Sequence, residues 1–161
     1  MSPTYLVRRC IHYMQQIPES LIALLGRFSV SAIFWLSAQT KVDGFALNLV
    51  TGDVHLGIPQ LSASSVALFA QEYRLPLIPP EFAALAAAIG EHVFSMLLLI
   101  GLASRFAALA LLGMTATIQI FVYPDAYPTH GVWAAVLLFI IARGPGVVSL
   151  DHFIARRYGK V

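Results

Sequence analysis

A chain of 161 residues that is 58% hydrophobic and only 11% charged is too apolar for a water-soluble domain, where about a quarter of residues carry charge. Its net charge of +2 is too small to point to a nucleic-acid partner, and its length fits one domain. The single cysteine, Cys10, excludes an internal disulfide and any CxxC redox pair.

Near the N-terminus Leu6, Cys10, Tyr13, Met14 and Ile17 recur at helical spacing, with Arg8, Arg9, His12, Gln15 and Gln16 opposite them. The pattern predicts an interfacial helix on the inner leaflet, with a solvated basic tail as the alternative. Leu21–Ala38 follows, interrupted only by Arg27. It is too long for a signal-peptide core, and no small-x-small cleavage site follows it, so it reads as a retained membrane helix. From Asp43 to Pro80 the chain reads as an outer loop. Its first half, GFALNLVTGDVHLGIPQL, is expected to be irregular. Its second half, Ser64–Tyr73, reads as a short helix opened by serine.

Phe82–Leu102 is the second long apolar run, broken only by Glu91 and His92, and Phe106–Tyr123 is a third with no charge. Gly131–Ala142 is shorter. It crosses a bilayer if His130 and Arg143 sit at the two interfaces, or if Gly144–Val148 continues inward. A crossing takes about 20 mostly apolar residues, which places spans at about 20–40, 82–102, 105–123 and 130–147. The expected fold is all-α: an integral membrane four-helix bundle, one domain over 1–161, with a long extracytoplasmic loop (43–80) carrying a short helix.

Four spans put both termini on one side. Arg8, Arg9, Arg105, Arg143, Arg156, Arg157 and Lys160 fall there, against Lys41 and Arg74 on the other. Because inner loops retain positive charge, both termini are expected in the cytoplasm, of a plasma membrane and most simply a bacterial one.

Ionisable side chains in hydrocarbon face the bundle and find partners. Counting inward from Ser20 and from Phe82, Arg27 lies about 11 Å deep from one face and Glu91 about 14 Å from the other, at 1.5 Å per residue. In a core of about 30 Å the two come within reach, so an Arg27–Glu91 pair is expected. Ala84, Ala87, Ala88, Glu91 and Ser95 form a stripe of small residues that permits close helix approach. Arg27, Ser31, Trp35 and Ala38 share a face of the first helix, and Thr115, Gln119 and Tyr123 recur at four-residue spacing on the third. His92 stands about 100° round the helix from Glu91, facing either the same cavity or a neighbouring helix. Each group also has a plain structural reading: register pinning for the ion pair, packing for His92, interhelical bonding for the Thr115–Gln119–Tyr123 stripe, and interface anchoring for Trp35 and Trp133.

LLLIGLASRFAALALL at Leu97–Leu112, ARGPGVVSLD at Ala142–Asp151, the early arginine of the first span, Lys41 just after it, and the glutamate inside the second resemble the DoxX family of small four-helix membrane proteins. The resemblance covers roughly residues 20–153. It implies association with redox chemistry, since some relatives are subunits of quinone-linked oxidoreductases. A bound quinone or quinol is therefore the expected cofactor, with Glu91, His92 and Arg27 as the reactive cluster and Gln119, Trp35, Thr115 and Tyr123 as its binding surround. The expected partners are the lipid bilayer and a partner oxidoreductase or other membrane subunit, with a homo-oligomer also open. A non-catalytic anchor or assembly factor and a small-solute permease are the alternatives. The outer residues Asp53, His55, Asp125 and His130 suit zinc or copper by type, but would need the outer loop to fold over the third–fourth turn, and their spacing is not diagnostic, so no metal ligands are assigned. Bis-histidine haem is disfavoured because His92 and His130 lie at different depths.

Overall fold

The computed structural model describes residues 3–48 and 51–159. Lys160, counted above in the charge balance, lies outside them. Helix α1 (Pro3–Met14) precedes α2 (Glu19–Gln39). Strands β1 (Val42–Asn48) and β2 (Asp53–Leu61) form an antiparallel hairpin. Helix α3 (Ala63–Leu68) runs directly into a wide π turn over Phe69–Tyr73. Three helices follow: α4 (Pro80–Ile100), α5 (Ser104–Phe121) and α6 (Tyr127–Arg143), the last entered through a tight 3-10 turn at Pro124–Ala126. The described chain closes with α7 (Leu150–Tyr158).

Among the described residues, four helices are long and apolar enough to cross a membrane: Glu19–Gln39, Pro80–Ile100, Ser104–Phe121 and the continuous stretch Pro124–Arg143. Each packs on the next in chain order, and α6 closes back against α2. The core between them holds Val30, Phe34, Leu98, Leu111, Leu137 and Ile140, all buried. Outward, Leu25, Phe28, Phe106, Leu109, Val132 and Leu138 are exposed, as expected of a surface solvated by acyl chains rather than by water.

Local chemistry explains the helix ends. Prolines 79 and 80 open α4, with Glu81 in its first turn, because proline needs no hydrogen-bonded N–H there and a carboxylate suits the positive helix end. Gly101 ends α4 at φ +74° in the left-handed region, the usual glycine stop. The tight turn to α5 is secured from far along the chain, where the Asp151 carboxylate accepts bonds from the Ala103 and Ser104 amides (2.7 and 2.9 Å). The Ser149 hydroxyl accepts from the His152 amide and so caps α7. The fourth span starts earlier than expected and stops at Arg143, because Gly144 at φ +86° turns the chain away. Gly144–Val148 therefore does not extend that helix.

The first half of the 43–80 loop is not irregular. It is the β1–β2 hairpin, paired from Val42↔Leu61 to Asn48↔Asp53 with a register shift between Asp43 and Phe45. Gly44 (φ +79°) backs onto Gly57 at that shift, and a Cβ on Gly57 would collide with the Gly44 carbonyl. The shift breaks the two-residue period that would have announced β1.

Helices α2 and α4 are not level. Ser37 meets Glu91 and Arg27 abuts Gly101, two contacts ten residues apart on each helix that fix one antiparallel register. In it Pro80 stands eleven residues outward of Glu91, whereas α2 ends at Gln39, two beyond Ser37. The nine-residue difference pushes α4 past α2 by about 13 Å at 1.5 Å per residue. Leu61, Val66, Phe69 and Tyr73 pack on Ala83 and Ala84 of the projecting segment. At the opposite end α2 projects instead, and the loop after α6 packs against it, with the Val147 amide donating to the Ser20 hydroxyl (3.3 Å).

Candidate functional site

The stagger decides which charges meet. Glu91 does not pair with Arg27. Its partner is Lys41, whose ammonium lies 2.8 Å from Glu91 Oε2, with both side chains almost fully buried. The Lys41 ammonium also donates to the Ser37 hydroxyl (2.9 Å) and the Ser37 carbonyl (3.2 Å), and the Ser37 hydroxyl donates to Glu91 Oε1 (3.3 Å). The expectation of an Arg27–Glu91 pair assumed that both helices begin at flat membrane faces. With α4 displaced outward, Glu91 rises to the C-terminal end of α2, where Lys41 folds back over the last turn.

Arg27 sits at the other end of the bundle. It is 2% exposed and donates from Nη2 to the Val148 carbonyl at 2.6 Å. Its Nε and Nη1 have no hydrogen-bond partner among the described residues.

His92 is adjacent to Glu91 in sequence but faces elsewhere. Its Nδ1 contacts the Ala88 carbonyl at 2.8 Å, which makes Nδ1 the donor and leaves Nε2 to accept from the Gln39 amide at 3.0 Å. Gln39 Oε1 in turn accepts the Leu47 amide of β1 (2.7 Å). Trp35 stands edge-on to the imidazole at 5.2 Å between ring centroids and donates from its indole to the Leu47 carbonyl. His92 and Trp35 thus tie the hairpin to the bundle, and His92 lines a cavity of about 610 Å³ beneath the hairpin with Phe45, Pro59 and Leu61.

Glu91 lines a different groove, of about 300 Å³, between α4, α5 and the π turn. Phe69, Phe82, Phe94, Met114 and Ile118 wall it, and among the described residues Tyr73 and Thr117 are the only other polar side chains lining it. Burial, then the charges of Glu91 and Glu72, push the Tyr73 phenol above its ordinary pKa. Tyr73 therefore keeps its proton and remains a hydrogen-bond donor.

The expected Thr115–Gln119–Tyr123 stripe also divides. The Thr115 hydroxyl donates to the Leu111 carbonyl of its own helix. Gln119 bonds to Pro124 and His130. Tyr123 lies beyond the end of α5 and donates to Glu72, whose carboxylate holds the phenol pushed up to about 12. Among the described residues no three His, Cys, Asp or Glu side chains converge as a metal site, and His130 is engaged by Gln119 rather than turned toward Asp53, His55 or Asp125.

The chain is a four-helix bundle in which a lysine closes the first span onto a glutamate of the second and an arginine of the first span is buried at the opposite end. The model of the DoxX family matches residues 22–124. The chain belongs to the DoxX family. A search of the curated proteins finds no match, and neither does a search of the solved structures. In this DoxX chain the matched segment runs from α2 to the entry of α6 and so contains Arg27, Lys41, Glu91 and His92. Sequence reasoning placed Lys41 in the family pattern but missed its role, because a lysine just past a span reads as a solvated loop charge. Tyr73 was missed as a groove residue because its helix reads as a surface element.

Proposed function

We propose that this multi-pass membrane protein of the DoxX family is the membrane subunit of a redox system, binding a quinone or quinol in the groove that ends on Glu91 and serving a partner oxidoreductase. One observation carries the reading: a buried, charge-compensated carboxylate opens onto an apolar groove between α4, α5 and the π turn. The groove volume lies at the small end of the roughly 300–1,000 Å³ typical of small-molecule sites, enough for a ring whose isoprenoid tail remains in the bilayer. A quinone supplies two-electron, two-proton chemistry when bound. On the protein side Tyr73 offers a phenolic donor to a carbonyl oxygen, the aromatic walls exclude water, and Glu91 holds or exchanges a proton beside Lys41. His92, Trp35, Gln119 and Arg27 fall outside this groove, so the proposed site is narrower than the cluster expected from sequence. In this reading the membrane is the plasma membrane, the hairpin end is extracytoplasmic and both termini are cytoplasmic.

Organic extraction of the purified protein followed by mass spectrometry tests this. A quinone is expected in the extract. Gly90→Leu, which fills the groove from α4 where a Cβ would already stand 3.5 Å from Met114, is expected to remove it while preserving the fold. Lipid alone in the wild-type extract would reject the site.

A second reading, an anchor that docks a partner enzyme, is favoured by the hairpin, which exposes Val54, Leu56 and Ile58 in a row along β2. Retention of an oxidoreductase without any quinone, lost on Leu56→Ser with Ile58→Ser, would favour it. The permease reading is less favoured, because the buried charges stand at opposite ends of the bundle, Lys41 with Glu91 at one and Arg27 at the other, with the small hydroxyls of Ser31 and Ser95 buried between them on α2 and α4.

A further inference from the structure

His130 lies in the first turn of α6, is 6% exposed, and has a tautomer that the structure decides. The Pro124 carbonyl can only accept, so the 2.6 Å contact from Gln119 Nε2 orients the amide with its NH2 toward Pro124. Gln119 Oε1 is then the atom 2.7 Å from His130 Nδ1. A carbonyl oxygen demands a donor, so Nδ1 carries the proton and Nε2 is left with a bare lone pair. Nε2 makes no hydrogen bond among the described residues and is not sealed from the surroundings.

His130 lines a groove of about 350 Å³ between α5 and α6. Leu112 and Ile120 wall it. Ala116, Gly131 and Ala134 carry nothing beyond a Cβ, so one side is shallow and flat, and no atom stands within 4 Å of where a Cβ on Gly131 would be. Thr115 directs its hydroxyl proton to the Leu111 carbonyl, so its oxygen also presents lone pairs. Tyr127, largely exposed, stands at the edge of the groove, and a bare acceptor beside an otherwise mainly apolar lining costs free energy until a donor reaches it. The groove thus calls for an apolar, flat molecule carrying an O–H.

We propose that the α5–α6 groove is a second binding site, separate from the Glu91 groove, that takes an aromatic alcohol from the bilayer with its hydroxyl donating to His130 Nε2. The amide of Gln119 is the positioning group, since it holds the proton on Nδ1 and thereby keeps Nε2 an acceptor. The inference does not depend on the function proposed above.

The test uses the full chain in lipid nanodiscs, labelled with 15N-histidine, and two probes, 4-pentylphenol and 4-pentylanisole, which share a body but differ in the O–H. In the ligand-free protein the His130 Nε2 resonance is expected at the position of an unprotonated nitrogen. The phenol should shift it upfield while the anisole leaves it in place, and the phenol should bind at least about tenfold more tightly, a difference of about 1.4 kcal/mol. His130→Phe should abolish that preference. Gln119→Leu should lower it and let the proton redistribute between the two ring nitrogens. Gly90→Leu, which blocks only the Glu91 groove, should leave it intact. Equal binding of the two probes, as when water alone meets Nε2, would overturn the proposal. So would a proton found on Nε2 in the ligand-free protein, or a preference that survives His130→Phe or disappears with Gly90→Leu. Should His130→Phe fail to fold, the wild-type resonances and the Gly90→Leu arm still decide the matter.

Discussion

Removing Lys41 isolates Glu91 in the bundle, and the structure sets the size of the effect. In Lys41→Met the carboxylate keeps, among the described residues, one hydrogen bond, the 3.3 Å contact from Ser37, and loses the one ion-pair partner it has among them. Breaking one side of a buried pair costs about 3–5 kcal/mol. Protonation limits the loss, because neutralising an ordinary carboxyl of pKa about 4.3 at pH 7 costs roughly 3.7 kcal/mol at 1.36 kcal/mol per unit. Lys41→Met is therefore expected to lose about 3–4 kcal/mol at neutral pH, with the deficit shrinking by about 1.4 kcal/mol for each pH unit lowered toward 5. Glu91→Leu should cost a similar amount by stranding the ammonium. The double variant Lys41→Met with Glu91→Leu should recover to within about 1 kcal/mol of wild type, since replacing both members of a buried pair by apolar groups is close to neutral. Unfolding in mixed micelles by SDS titration, run as a double-mutant cycle, measures the coupling. The same cycle with Arg27→Leu in place of Lys41→Met should be additive. Additivity for Lys41 with Glu91, or strong coupling of Arg27 with Glu91, would refute both the pairing and the helix register behind it.

Gly101→Ala is expected to destabilise the fold by about 2–5 kcal/mol, combining left-handed strain with overpacking. Its Cβ would fall 2.0 Å from Arg27 Nη1 and 2.5 Å from Ser149 Cβ, and a thermal melt in detergent reads the loss. Asp151→Ala removes the acceptor for the Ala103 and Ser104 amides and should cost about 1–2 kcal/mol, the usual value of a helix cap; Asp151→Asn should cost less. Between pH 10 and 12 the unfolded chain releases the Tyr123 proton while the folded one retains it, so stability should fall with rising pH across that window. Ultraviolet titration should show one tyrosine ionising near pH 12, and Glu72→Gln should bring it back toward 10. A reporter at the C-terminus is expected to read as cytoplasmic and one inserted beside Gly57 as external; the reverse result would invert the proposed topology.

The spans were legible because crossing a bilayer depends on length and apolarity, both of which belong to the sequence. Their ends were nearly so, since Pro79–Pro80 and Gly101 mark the limits of α4 by backbone rules alone. The partners were not. Arg27 and Glu91 have similar depths only if each helix is measured from a flat membrane face, and nothing in a one-dimensional pattern reports that α4 is shifted by about 13 Å at the α-helical rise. A signal for the hairpin was present, since Val54, Leu56 and Ile58 alternate after Thr51-Gly52-Asp53, but the register shift at Gly44 obscured the first strand. Sequence reasoning groups His92 and Glu91 in one reactive cluster, although it leaves His92 free to face either the same cavity or a neighbouring helix. On a helix neighbours diverge by about 100°, and here that angle sends them into different cavities.

The dependence of Arg27 on Val148 has a consequence for biogenesis. The guanidinium has one hydrogen-bond acceptor among the described residues, and that carbonyl lies 121 residues further along the chain. At the roughly 5–20 residues per second of synthesis, the arginine waits about 6–24 s after it is made before its acceptor exists. Through that interval the first span holds a cation with no protein carbonyl to meet it, so it has to rest with Arg27 toward water or phosphate headgroups and slide to its final depth later. A segment synthesised after all four spans therefore fixes the position of the first span, and a chain truncated before Val148 should insert all four spans yet never settle them into one register.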